Sequence, residues 1–272
     1  MPTFGVSQVA ERSDTLPPIH TISQICYKAK MKGDEIILGE REWYKWFKDD
    51  QFYIKNKNGS YKSITTYNEE GEIDRISVFK DHANGNLAKI STFKVQDKDT
   101  VLTRYTKYYY DHKDFCYLDS AFDENGEPAL ITKSVKDYDQ NIEVNKTVYP
   151  NGDFLSCYVD YLDENGWIVH TEERGVNNNV LRDTYYFRDT INHTSEYFSI
   201  EGNDTTSHTI THYNEKGLEL YDMHFTEDYS DGKQDYTFDY KYNEFGDWIK
   251  KLVFKEGELM YCVVRKITYY EH

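Results

Sequence analysis

The sequence predicts an all-β protein, an elongated antiparallel meander of repeated hairpins, and three observations carry that reading. The first is composition: 26 of the 272 residues are Tyr and 14 are Phe, and aromatics, like Val, Ile and Thr, fit a pleated surface better than a helix. The second is a turn that recurs five times: Tyr67-Asn68-Glu69-Glu70-Gly71, Phe122-Asp123-Glu124-Asn125-Gly126, Leu162-Asp163-Glu164-Asn165-Gly166, Tyr213-Asn214-Glu215-Lys216-Gly217 and Tyr242-Asn243-Glu244-Phe245-Gly246. The third is alternation over residues 235 to 242. There Tyr236, Phe238, Tyr240 and Tyr242 interleave with Asp235, Thr237, Asp239 and Lys241, which is strand period with one aromatic and one polar face.

Taken from the start, residues 1 to 18, closing on Pro17-Pro18, read as a flexible arm. Residues 19 to 272 read as a single domain of β-hairpin repeats, although length alone permits one domain or two. Between residues 38 and 50, Trp43, Trp46 and Phe47 stand at helical offsets, so one short helix fits there; the preceding Gly39 and the aromatics suit a strand equally well. In each repeated turn the Asn or Asp caps the backbone. The glycine at the fourth position (Gly71, Gly126, Gly166, Gly217, Gly246) supplies positive φ for a bulged hairpin. The turns are irregularly spaced, which places intervening reverse turns at Asn84-Gly85, Asn151-Gly152, Asp231-Gly232 and Glu256-Gly257. Residues 259 to 270 are apolar on both faces, as a central strand is.

These turns resemble the Tyr-Asp repeats of bacterial RHS-type proteins and, more loosely, the MORN-like hairpin repeats of some bacterial antitoxin components. The resemblance spans roughly residues 60 to 270. It departs from the Tyr-Asp pattern where Asn replaces Asp in three of the five turns. What it implies is architecture: a long antiparallel sheet wound strand by strand.

The net charge is −16, a field that repels phosphate backbones and so speaks against nucleic acid as a partner. It suits a basic protein, a cation, or simple solubility. Cys26, Cys116, Cys157 and Cys262 show no CxxC spacing and read as reduced structural thiols. No apolar run reaches the ~18 residues of a membrane helix, and no signal-peptide pattern opens the chain. The expectation is therefore a cytoplasmic protein, or a periplasmic or secreted one whose leader has been removed.

Chemistry is sparse. No GxSxG, Walker A, GxGxxG, HExxH or EF-hand pattern occurs, so no catalytic residue, cofactor or metal ligand is assigned. His208 and His212, four apart on a strand, stand about 13 Å apart, too far for one zinc ion, and read as solvent-facing, as does His224. The repeated Glu69, Glu124, Glu164, Glu215 and Glu244 read as exposed turn residues that, aligned along one edge, would meet a basic partner. The expected function is non-catalytic protein binding, most concretely an immunity- or antitoxin-type inhibitor of a basic bacterial toxin. The alternative is a secreted or surface-anchored repeat protein that binds glycan or acts as a spacer.

Overall fold

A computed structural model describes residues 17–42, 51–68, 70–96, 99–226 and 232–271. They form nineteen strands. The first four are β1 (Ile19–Lys32), β2 (Glu35–Arg41), β3 (Gln51–Lys55) and β4 (Tyr61–Tyr67). Then come β5 (Ile73–Asp81), β6 (Leu87–Gln96), β7 (Asp99–Tyr110), β8 (Cys116–Asp123), β9 (Pro128–Asp137), β10 (Ile142–Val148), β11 (Phe154–Leu162) and β12 (Ile168–Arg174). The last are β13 (Val180–Asp189), β14 (Thr194–Glu201), β15 (Asp204–Tyr213), β16 (Glu219–Thr226), β17 (Gln234–Tyr242), β18 (Trp248–Lys255) and β19 (Glu258–Tyr269). Two compact units share them. One comprises the chain up to Ile73, Arg188–Glu196 and the chain from His208 on; the other comprises Asp74–Phe187 and Tyr197–Ser207.

The expected open, elongated meander is overturned. All nineteen strands belong to one sheet, and β1 is not an edge. Along one side it pairs antiparallel with β19, from Ile19 opposite Tyr269 to Lys28 opposite Tyr261. Along the other side its first half pairs with β3, Thr21 opposite Ile54 and Gln24 opposite Gln51. Its second half carries the hairpin partner β2. The first strand thus joins the last to the third and closes the sheet, which removes the unpaired backbone groups that an open meander leaves at its ends. The short helix is also corrected for the part that is described. Residues 38 to 41 lie in β2; Trp43, Trp46 and Phe47 lie outside the described residues.

The recurrent turn has one hydrogen-bond plan. At residues 163–167 the Asp163 amide donates to the Trp167 carbonyl (2.8 Å) and the Gly166 amide to the Asp163 carbonyl (3.0 Å). Asp163 Oδ1 accepts the amides of Asn165 and Trp167, each at 2.9 Å. The fourth residue must turn left-handed, and Gly71, Gly126, Gly166, Gly217 and Gly246 have φ between 72° and 86°. The same pair of backbone hydrogen bonds recurs at 56–60, 82–86, 111–115, 149–153 and 175–179.

In the first unit the core gathers on β17 to β19, and both sheet faces contribute. Tyr236, Phe238 and Val253 form one buried cluster; Ala29, Leu252, Leu259 and Cys262 form the other. Val253, Val263 and Cys262 are wholly buried, each valine contributing roughly 1.5–3 kcal/mol. The second unit is built differently. One face of its strands is a ladder of small polar groups, with Thr132 against Thr147 (3.1 Å), Ser134 donating to Asn145 (2.5 Å), Asn145 to Asp160 (3.2 Å) and Thr171 to Asp160 (2.6 Å). Burial pushes the Asp160 carboxyl above the ordinary range despite those two donors.

Candidate functional site

The repeated glutamates do not fall into a single row. Glu124, Glu164, Glu215 and Glu244 are exposed in their turns, and Glu69 lies outside the described residues. Successive turns of an antiparallel sheet alternate between its two ends. In the second unit Glu124, after β8, and Glu164, after β11, therefore stand at opposite ends. In the first unit the turns of Glu215 and Glu244 share an end and touch: Asn214 Nδ2 donates to the Tyr242 hydroxyl (3.3 Å), and Lys216 Nζ donates to the Gly246 carbonyl (3.4 Å). Lys216, packed 4.4 Å over the Tyr242 ring, places a positive charge where the two turns touch.

Sequence reasoning missed a different cluster. The turns β8–β9, β10–β11 and β12–β13 share one end of the second unit, on strands paired in succession. Exposed there are Tyr149, Leu155, Val176, Val180 and Leu181, with Val176 at 72%. Leu181 is the extra residue of a bulge, since Glu173 faces Arg182 while Arg174 faces Val180, and its methyls approach Gly175, whose added Cβ would meet them at 3.4 and 3.5 Å. Glu124, Glu127 and Asp153 are exposed in the turns of the same end. The nearby arginines are already paired, Arg174 with Glu172 and Arg182 with Glu201. Apolar side chains among turn residues were the available signal. The sequence does not show that three separate turns meet at one end.

A third group lies on β11 to β14 of the second unit. Tyr161, His170, Tyr185 and Phe198 stack in succession, with centroids 4.9, 4.5 and 5.3 Å apart and planes within 28°. Such a ladder covers ring faces with neighbouring rings, leaving edges to solvent. Beside it His170 Nε2 meets Asp183 Oδ1 at 2.7 Å, and Glu172 accepts from Arg174 Nε (2.7 Å) and from the Tyr161 hydroxyl (3.0 Å). Burial raises the Glu172 pKa, but the Arg174 and Tyr161 contacts outweigh it and hold the carboxyl below its ordinary range. Donor atoms of His170, Glu172 and Asp183 lie within 4.8 Å of one another. A divalent ion could use all three only by displacing both the His170–Asp183 and Glu172–Arg174 contacts.

His208, His212 and His224 engage neighbouring side chains, and the reading of His224 as solvent-facing is corrected, since its ring Nε2 is buried. His208 Nε2 meets Glu196 at 2.7 Å, His212 stands edge-on to Tyr221, and His224 Nδ1 meets the Thr209 hydroxyl at 2.8 Å. Burial lowers the His224 pKa, so it favours the neutral ring. All four cysteines are free, with Cys26 and Cys262 in the core.

No family model and no curated protein matches the chain. Among solved structures it is similar to a porin-like protein from Bacteroides uniformis, with TM-score 0.43 and 8% identity over 91% of this chain and 98% of that one. It is also similar to a porin-like protein from Bacteroides vulgatus (TM-score 0.32, 9% identity, 94% and 100% of the two chains). A third neighbour is the Photorhabdus luminescens Tc holotoxin pore (TM-score 0.26, 10% identity, 88% of this chain and 18% of that one).

Proposed function

We propose that the protein is a non-catalytic binding protein that docks a basic protein partner on the apolar turn end of the second unit. The observation that supports this reading is the exposed group Tyr149, Leu155, Val176, Val180 and Leu181. Clustered apolar side chains left in water, with acids at their margin, have the anatomy of a protein-binding patch. The −16 charge selects a basic partner and speeds its capture, and capture of a basic toxin by an immunity-type inhibitor is one form of it. Glycan binding has less support. The Tyr161–Phe198 ladder covers its ring faces with neighbouring rings, and of the exposed tyrosines Tyr61, Tyr138 and Tyr242 each carry a lysine ammonium within 5 Å of the ring centroid.

An aqueous compartment fits this reading, because both faces of the second unit's strands carry charge. Lys133, Lys146 and Arg174 follow one another across one face, and Lys136, Glu143 and Asp160 across the other. A charge facing lipid near the bilayer midplane costs about 2–4 kcal/mol.

The test compares wild type with the double variant Val176→Glu/Leu181→Glu as immobilised baits at several salt concentrations. Replacing exposed side chains should leave the melting temperature nearly unchanged. A basic protein retained by wild type, lost by the variant and released as salt rises supports the proposal. Equal retention by both baits contradicts the surface, and retention indifferent to salt contradicts the basic partner.

A further inference from the structure

Three metal-ligating side chains meet on neighbouring strands of the second unit. His170 and Glu172 stand two residues apart on β12 and so share one face of the sheet. Asp183 stands directly opposite Glu172 on β13. The donor atoms of all three lie within 4.8 Å of one another. In a tetrahedral zinc site with bonds of about 2.1 Å, donors stand about 3.4 Å apart. His170 Nε2 and Asp183 Oδ1, 2.7 Å apart, need open only slightly to admit such an ion, and side-chain rotation can bring Glu172 the remaining distance.

The surroundings hold two of these donors in place. The His170 ring is clamped between Tyr161 and Tyr185, with centroids 4.9 and 4.5 Å away and planes within 14°, while its Nε2 faces Asp183. The Tyr161 hydroxyl donates to Glu172 Oε1 at 3.0 Å, the kind of outer hydrogen bond that orients a ligating carboxylate. Arg174 occupies the other oxygen, Oε2, through its Nε at 2.7 Å. Arg174 Nη1 also donates to Asn178 Oδ1 at 3.3 Å, and the side chain is 25% exposed, so the guanidinium keeps a partner and a way to solvent when it leaves Glu172.

We infer that His170, Glu172 and Asp183 bind one zinc-class divalent ion, with water completing its coordination. One imidazole and two carboxylates form a donor set that suits zinc and supplies too few oxygens for calcium or magnesium. The two carboxylates balance the charge of the ion. The ion takes the place of the His170–Asp183 hydrogen bond and the Glu172–Arg174 ion pair, both partly exposed to solvent and so of modest strength. Arg174 is thus a competitor built into the site, and zinc affinity depends on it.

The experiment titrates zinc chloride into the chelator-treated whole chain by calorimetry, with magnesium and calcium chlorides as controls. Wild type should bind one equivalent of zinc and neither control ion. His170→Phe keeps a flat ring between the two tyrosines but removes the nitrogen donor, and should lose at least tenfold in zinc affinity. Should that variant not fold, Asp183→Asn reads the same loss. Arg174→Gln should bind zinc more tightly than wild type, because the competing guanidinium is gone. A wild-type chain that takes up no zinc overturns the inference. So does equal uptake of magnesium or calcium, or a folded His170→Phe or Asp183→Asn variant that binds zinc as wild type does. An Arg174→Gln variant that binds no more tightly contradicts Glu172 as a ligand.

Discussion

Each of the repeated Asn or Asp turns rests on one short side chain and one left-handed residue. Asp163 holds two amides of its own turn, and Gly166 completes it at φ 79° with nothing within 4 Å of where a Cβ would stand. The cost of a substitution there is therefore conformational, not steric. Gly166→Ala should lower stability by roughly 1 kcal/mol. Gly166→Asn should cost less, because Asn178 (φ 63°) and Asp114 (φ 61°) occupy the same turn position elsewhere in the chain. Chemical denaturation of the two variants checks the order, and equal losses would contradict the turn assignment. This motif was legible in the sequence because its chemistry lies within five consecutive residues. The arrangement of its glutamates was not: whether two turns share an end depends on how many strands separate them, and the turns at 111–115 and 175–179 escape the motif because they carry Asp114 and Asn178 where it has glycine.

At the scale of strands, the aromatic alternation of β17 reappears in the buried Tyr236 and Phe238, where apolar burial makes the inner face conspicuous. In the second unit the hidden face is largely threonine, serine, asparagine and aspartate, a composition that reads as solvent-facing. The same device recurs in the first unit, where the Thr211 hydroxyl donates to Asp222 Oδ1 at 2.9 Å. Burial is the main cause that raises the Asp222 pKa, with Glu219 adding to it and the Thr211 hydrogen bond opposing. A carboxyl raised in the folded state binds its proton more tightly there than in the unfolded chain. Its contribution to stability is therefore full below the unfolded pKa and is lost as pH rises through the folded one. Asp222→Asn keeps the acceptor for Thr211 and removes the buried charge. The variant should be more stable than wild type at pH 7, with the advantage shrinking as pH falls through the raised pKa of the folded state and gone below about 4, the ordinary carboxylate range. Denaturant midpoints at pH 7 and pH 3 measure this, and a variant weaker than wild type at pH 7 would count against the buried-carboxylate reading.

For the whole molecule, the decisive feature is the place of β1. Residues 19 to 32 read locally as an ordinary strand, and nothing in them announces a partner more than two hundred residues away. Pairing of the chain's first strand with its last is a non-local choice, which is why the sequence suggested an open meander where the sheet closes. Closure also bears on the functional account, since β1, paired on both sides along its first half, offers no edge there, and turn ends and sheet faces are the surfaces on which a partner can be received. The most direct test is residue-resolved amide hydrogen exchange in β1. Thr21, Ile22, Ser23 and Gln24 each face β19 on one side and β3 on the other, and successive amides of an antiparallel strand point to alternate sides. A closed sheet predicts slow exchange at all four consecutive amides. An open meander, with β1 at its edge, predicts alternation of slow and fast amides along the same stretch, and that pattern would contradict the closed sheet.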